Sequence, residues 1–242
     1  MAWFFIENPI KENFYIITGE NAKHIKKSLR MTSGEQITLV DNVGTQYECE
    51  IETTVSFDVA VKICKKFPCQ NEPTVKVTLY QALPKGEKMD LIVQKAVELG
   101  VTEIVPIISA RCISRPDPKS LQKKIQRWNK IALQSAQQSR RGIIPKVKDA
   151  MTFSQATETL DENNCNIIFY ECGGKRTGDI LSQNNSTNIH IFIGSEGGFE
   201  ETEVNQVIAR NGIPATLGKR ILRCETAPLC AISIIMYLTG NA

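Results

Sequence analysis

Ile193-Gly194-Ser195-Glu196-Gly197-Gly198-Phe199 is the stretch whose reading decides the fold. An apolar run at 189–193 leads into it, and a helical pattern at 200–210 follows it. Three glycines within five positions let the backbone turn sharply and approach a ligand closely. Working outward, the same rhythm continues on both sides. Downstream lie a short strand at 215–217 and an apolar helix at 226–238. Upstream, strands are predicted at 75–81, 103–108 and 166–171, with helices at 88–99 and 120–139. The first helix places Met89, Ile92, Val93, Ala96 and Val97 on one face, with Gly100 at its end. The second carries Leu121, Ile125, Trp128, Ala132 and Ser135 on its inner stripe. Strands alternating with helices imply an α/β domain, a mostly parallel sheet covered by helices on both faces. In such folds ligands bind where loops leave the carboxyl ends of the strands.

Before residue 70 the pattern differs. Short runs rich in Val, Ile, Thr and Tyr occur at 37–40, 45–52 and 58–64, separated by turn signals at Ser33-Gly34, at Asp41-Asn42 with Gly44, and at Ser56 to Asp58. A short helix is predicted at 21–29. Several strands at this spacing suggest a small β-barrel. The segment 65–73, KKFPCQNEP, reads as a linker because two prolines interrupt the pattern. Two domains are therefore predicted, 1–70 and 74–242.

The chain of 242 residues is 42% apolar and 23% charged, ordinary for a globular protein. No stretch approaches the roughly 20 apolar residues of a membrane span. The first residues, MAWFFIENPIK, lack a basic leader, so the expected location is the cytoplasm. Eight cysteines, at 49, 64, 69, 112, 165, 172, 224 and 230, form no Cys-x-x-Cys pair, and His24 and His190 are the only histidines. That spacing argues against zinc, and no metal is expected. Charge is uneven. Between Arg111 and Lys148 stand eleven Lys or Arg and a single acid, Asp117, a net +10 in a chain whose total is +3. A basic block inside an otherwise acidic protein suggests a polyanionic partner; a solvated helix face is the plainer alternative.

Three segments carry candidate chemistry. The glycine stretch invites a phosphate cradle, but Glu196, Glu200, Glu201 and Glu203 crowd it and no Gly-Lys-Ser/Thr is present. Those carboxylates are read as unfavourable to a triphosphate and compatible with a neutral or cationic ligand. A tight turn whose acids complement a helix dipole is the alternative. The second segment is Leu217-Gly218-Lys219-Arg220-Ile221-Leu222-Arg223-Cys224-Glu225-Thr226-Ala227. Here Ile221 and Leu222 offer an apolar wall for an aromatic ring, and Glu225-Thr226 can start a helix. The third, Gln134 to Gly142, ends the basic helix with Arg140 and Arg141, residue types that hold phosphate and read bases.

IGSEGGF followed some 23 residues later by LGKRILRCETA resembles the C-terminal motif pair of the RsmE family, knotted SPOUT-class methyltransferases that modify uracil N3 in small-subunit ribosomal RNA. The likeness is distributed along the chain. His24, Leu29-Arg30-Met31 and Gly34 resemble the family's barrel motif. Lys85-Gly86-Glu87-Lys88-Met89 and Gln94 to Gly100 resemble the start of its catalytic domain, and Arg111-Cys112, Trp128 and Gln138-Ser139-Arg140 follow in order. Three positions depart from the family pattern: Ser195 stands for the usual proline, Trp3 for an arginine, and Gln137 for a common glutamate.

The resemblance implies a SPOUT-type parallel sheet with a C-terminal trefoil knot, preceded by a PUA-like β-barrel. It also implies S-adenosylmethionine as cofactor, 16S rRNA of the small ribosomal subunit as substrate, and a homodimer. By matching position, Gly194, Glu196, Gly197, Gly198, Leu217, Ile221, Leu222, Arg223, Thr226 and Ala227 would line the cofactor, with Glu171 and Cys172 near by. For the chemistry, Arg223 or Arg140 is expected to stabilise charge developing on the uracil carbonyls, and Glu225 to accept the N3 proton. Arg30, Lys85, Lys88, Arg111, Arg115, Arg140 and Arg141 are expected to contact RNA.

Overall fold

The computed structural model describes residues 2–55 and 58–242, and the chain divides into two compact units. The turn expected at Ser56 to Asp58 falls, at Ser56 and Phe57, outside the described residues.

The first unit comprises Met1–Glu72 and Ala136–Ile144. Its elements are β1 (Ala2–Phe5), β2 (Phe14–Ile17), α1 (Gly19–Lys23) continued by a π-helical turn (His24–Leu29), β3 (Gln36–Val40), β4 (Thr45–Val55) and β5 (Asp58–Pro68). The sheet order is β1-β3-β4-β5-β2, with β1 parallel to β3 and the other pairs antiparallel. Alternation drives it: Tyr47, Cys49 and Ile51 of β4 turn inward to meet Phe4, Ile17, Leu39, Val59 and Val61, so all five strands share one core. Ala22 and Ile25 close that core from the helical side. Lys65 to Pro68, expected in a linker, instead extend β5, pairing with Thr45 to Glu48. Pro68 is tolerated because β2 pairs only with Val59 to Lys62, which leaves this end of β5 an edge.

Why 136–144 joins this unit is visible in its bonds. The buried Arg141 guanidinium donates from Nε to Glu72 Oε1 at 3.2 Å and from Nη2 to Oε2 at 2.6 Å. Amides of Gly142 and Ile143 donate to the same carboxylate, at 2.8 and 3.2 Å. Trp3 Nε1 donates to the Arg141 carbonyl at 3.0 Å. A buried charge is tolerable when it is paired and hydrogen-bonded, and this one is bidentate to Glu72.

The second unit comprises Pro73–Ser135 and Pro145–Ala242. In chain order it contains β6 (Lys76–Ala82), α2 (Lys88–Glu98), β7 (Glu103–Ile108), α3 (Pro118–Gln138), β8 (Lys146–Val147), β9 (Met151–Thr152), α4 (Phe153–Glu158), β10 (Cys165–Phe169), β11 (Lys175–Arg176), α5 (Thr177–Ser182), β12 (Asn188–Ile193), α6 (Glu201–Ile208), β13 (Ile213–Thr216) and α7 (Thr226–Leu238). From Ala136 onward the last residues of α3 belong to the first unit.

The sheet order is β11-β13-β10-β12-β6-β7-β8, with β9 also on β7, and the pairings are parallel. All five residues of β10 are buried, as expected for a strand covered on both faces. The chain starts centrally at β6, runs outward through β7, returns on the other side at β10, and then inserts β12 between β6 and β10. Because the strands are parallel, the loops after β10, β12 and β13 leave from the same end of the sheet. The turn of direction brings them together.

Candidate active site

Those three loops border a cavity of about 270 Å3, just below the roughly 300–1,000 Å3 usual for small-molecule sites. Its lining comprises Phe169, Tyr170 and Glu171 after β10, Ile193 to Gly198 after β12, and Thr216 to Leu222 with Cys224 and Ala227 after β13.

Backbone sterics set the glycine loop. Gly198 has φ +68° and donates its amide to the Ser195 carbonyl at 3.0 Å. A Cβ on Gly194 would lie 2.9 Å from the Gly198 Cα, and a Cβ on Gly198 would lie 2.3 Å from Glu171 Oε1. Neither position leaves room for a side chain without movement. Arg111 braces the loop by donating from Nη1 to the Gly197 carbonyl at 3.1 Å, and lies 3.9 Å from Glu171 Oε1. Beneath it, Gln81 Nε2 donates to the Gly194 carbonyl at 3.3 Å. The buried Ser195 hydroxyl has no hydrogen-bond partner among the described residues.

The acids behave differently from their sequence reading. Of the four carboxylates expected to ring the loop, only Glu196 lines the cavity. Glu203 is buried and serves α6: its Oε2 accepts the Glu200 amide at 2.9 Å, completing a capping box, and its Oε1 accepts the Ala110 amide at 2.8 Å. Lys219 and Arg220 also line the cavity. The charge argument against a phosphate ligand is therefore weakened: Glu171 and Glu196 face the cavity beside Lys219 and Arg220, and Glu200 and Glu203 serve the helix cap.

Glu196 is held by the chain itself. Lys88 Nζ, at the start of α2, donates to Glu196 Oε1 at 2.8 Å, and the Lys85 amide donates to its two oxygens at 3.2 and 3.4 Å. Burial pushes the Glu196 carboxyl up, but the Lys88 hydrogen bond and the backbone amides of Glu196 and Lys85 outweigh it, so the group sits below its ordinary 4.5. Lys88 also lies 3.6 Å from Glu225 Oε2, which accepts from Cys224 Sγ at 3.2 Å. That thiol contact, with the backbone and Lys88, lowers the Glu225 carboxyl. The Cys224 thiol is pushed up to about 12 by burial and by the neighbouring Glu225.

Of the expected cofactor residues, Gly194, Glu196, Gly197, Gly198, Leu217, Ile221, Leu222 and Ala227 meet at the cavity; Arg223 and Thr226 do not line it. Both are exposed, and the Arg223 carbonyl accepts the amides of Thr226 at 2.8 Å and Ala227 at 2.9 Å to start α7. Arg30 and Arg140 belong to the first unit, are exposed, and have left-handed backbones with φ 54° and 58°. Arg115 folds back onto the carbonyls of Cys112 and Ala110 at 3.2 and 3.1 Å. Lys85 is exposed. Arg141 is the correction: with 3% of its surface accessible and its guanidinium bonded to Glu72, it is a structural residue and has no face for RNA. Cys172 is exposed and outside the cavity lining. Sequence reasoning passed over Phe169, Tyr170, Ser195, Thr216 and Cys224. For the first two, the rule that ligands gather at strand carboxyl ends was the available signal.

The family model described as RNA methyltransferase domain matches residues 70–236, and that described as RNA methyltransferase PUA domain matches residues 17–57. An RNA methyltransferase domain carried with a PUA-type domain is the class these matches define. Ribosomal RNA small subunit methyltransferase E of Bacillus subtilis (strain 168) is 34% identical over 231 residues, covering 93% of this chain and 90% of the relative. Its namesake from Mesomycoplasma hyopneumoniae (strain 232) is 35% identical over 229 residues, covering 95% and 96%. Among solved structures, ribosomal RNA small subunit methyltransferase E from Neisseria gonorrhoeae bound to S-adenosyl methionine superposes with a TM-score of 0.89 at 32% identity, covering 98% of each chain. The chain belongs to the ribosomal RNA small subunit methyltransferase E family.

Proposed function

We propose that this protein transfers a methyl group from S-adenosylmethionine to N3 of a uracil in 16S rRNA of the small ribosomal subunit. The observation that carries the reading is the cavity at the strand ends, in a chain related over most of its length to proteins named for small-subunit rRNA methylation. The residues fit the cofactor. Ile193, Leu217, Ile221 and Leu222 supply an apolar wall for an adenine, the backbone at Gly194, Gly197 and Gly198 permits close approach, and the orphan Ser195 hydroxyl is free to donate or accept. Gly194, Glu196, Gly197, Gly198, Leu217, Ile221, Leu222 and Ala227 would hold it, with Arg223 and Thr226 adjoining. When bound, the cofactor supplies an electrophilic methyl on a sulfonium leaving group.

The chain's own residues must orient the uracil and relieve N3 of its proton. Arg223 or Arg140 stabilises negative charge on the uracil carbonyls. Glu225 accepts the proton as a carboxylate, its lowered pKa keeping it ionised at neutral pH while weakening it as a base. Arg30, Lys85, Arg111, Arg115 and Arg140 hold the RNA backbone, and the target uracil is single-stranded or flipped so that N3 is accessible. A trefoil knot around the cavity, a homodimer and a cytoplasmic location complete the reading.

Methylation of purified small subunits, with the product mapped by mass spectrometry, tests this proposal. The expected product is one N3-methyluridine in 16S rRNA; methylation of bulk tRNA instead, or of neither, overturns it. Arg223→Ala that binds cofactor and RNA normally yet methylates at full rate removes Arg223 from the charge-stabilising role and leaves Arg140.

A further inference from the structure

Lys88 is expected from sequence to contact RNA, yet the structure places its ammonium between two carboxylates from different walls of the cavity. Glu196 belongs to the loop after β12 and Glu225 to the segment entering α7; Lys88 reaches them at 2.8 and 3.6 Å. Its Nζ also lies 3.8 Å from Sγ of Cys224, which lines the cavity. None of the three charged side chains is fully solvated, with 32%, 31% and 21% of their surfaces accessible for Lys88, Glu196 and Glu225. This is a partly buried network, less screened than an isolated surface pair.

Position adds a second argument. Lys88 is the first residue of α2, where the helix dipole disfavours a cation. Two carboxylates facing it offset that cost. Glu196 is committed to the same junction, since its oxygens also take the Lys85 amide. Its carboxylate is thus held in place by the chain on the cavity's edge.

We propose that Lys88 is a positioning residue that ties the glycine loop to the segment entering α7, holding the two walls of the cofactor cavity in register. The proposal rests on the methyltransferase reading for what the cavity binds, but not for the tie itself. Removing the ammonium leaves two carboxylates facing each other across the junction, so their repulsion pushes the walls apart. Neutralising one of them should then restore register, a response that a phosphate-contacting lysine would not give.

The experiment compares wild type, Lys88→Met, Lys88→Arg and the double variant Lys88→Met/Glu225→Gln. Hydrogen exchange of the ligand-free proteins reads the tie directly. Amides in 194–198 and in 217–225 should exchange faster in Lys88→Met and return toward wild type in the double variant; unchanged exchange in either loop overturns the proposal. Calorimetry with S-adenosylmethionine reads the consequence. Lys88→Met should bind about tenfold more weakly, a coupling of ordinary size for residues in one network, with Lys88→Arg close to wild type and most of the loss recovered in the double variant. The KM for cofactor should rise in Lys88→Met. Affinity for small subunits and its salt slope should stay at wild-type values. A loss confined to RNA affinity, with the salt slope reduced by about one, would instead make Lys88 a phosphate contact and overturn the proposal. Wild type that fails to bind S-adenosylmethionine would sink the methyltransferase reading, while the exchange measurement still decides whether Lys88 joins the walls.

Discussion

The two walls of the cavity are built on different principles. Residues 193–199 are fixed by the backbone: glycines that cannot carry a Cβ, an amide-to-carbonyl bond across the turn, and a capping box on the helix that follows. Residues 217–225 are looser and more exposed, with Ile221 86% accessible, and their ties run through side chains: the Lys88–Glu225 pair, the Cys224 thiol and the Thr216 hydroxyl that accepts the Gly218 amide at 3.1 Å. Steric limits on the backbone narrow the conformations open to the first wall, while the second depends more on side-chain contacts.

The largest expected effect lies in the first wall. Gly194→Ala places a methyl 2.9 Å from backbone that has nowhere to go. Overpacking of about 1–3 kcal/mol corresponds to roughly 5- to 150-fold weaker cofactor binding, read by calorimetry. Near-wild-type affinity would show that this wall can adjust.

An intermediate effect is the pH response of the junction between the walls. The Glu196 and Glu225 carboxyls are lowered from 4.5, so their contribution is fully present above that value and is lost as pH falls below it through their folded-state values. Lys88 is raised from 10.5 chiefly by its hydrogen bond to Glu196, so its contribution is present below 10.5 and lost only above it. Cofactor affinity of the wild type should fall on the acid side below 4.5 as this junction is lost. In Glu196→Gln the acid limb should soften, and an unchanged limb would place the titrating group elsewhere.

The smallest effect belongs to the exposed wall. Ile221→Ser should change unfolding free energy by no more than about 0.5 kcal/mol, as at other unpacked surface sites. A larger loss in thermal unfolding would mean that this wall is as tightly packed as its partner.

How much of this was legible in the sequence follows the same division. Strong periodicity and local steric rules carried far: α7 spans Thr226–Leu238 and β7 spans Glu103–Ile108, as read, and all five predicted inward residues of α2 are buried. The glycine turn was readable because its constraint is local. Short strands without a period were not, including β1, β2 and the two-residue β8, β9 and β11, whose pairing partners lie far away in the chain. Arg140 and Arg141 show the limit most sharply. Adjacent and chemically identical, one is exposed and the other buried, because Glu72 lies 69 residues away from Arg141 and no local pattern announces the pair. Glu203 failed in the opposite direction. Glu200-x-x-Glu203 is a capping pattern, and its acids were read as ligand chemistry when they belong to the helix.

The most direct test of the account is a crystal structure of the protein soaked with S-adenosylmethionine. The account expects the cofactor in the cavity at the ends of β10, β12 and β13, its adenine against Leu217, Ile221 and Leu222 and its polar atoms on the backbone of 194–198 and the Ser195 hydroxyl. Density for the cofactor elsewhere on the chain, or an empty cavity at saturating concentration, would contradict it.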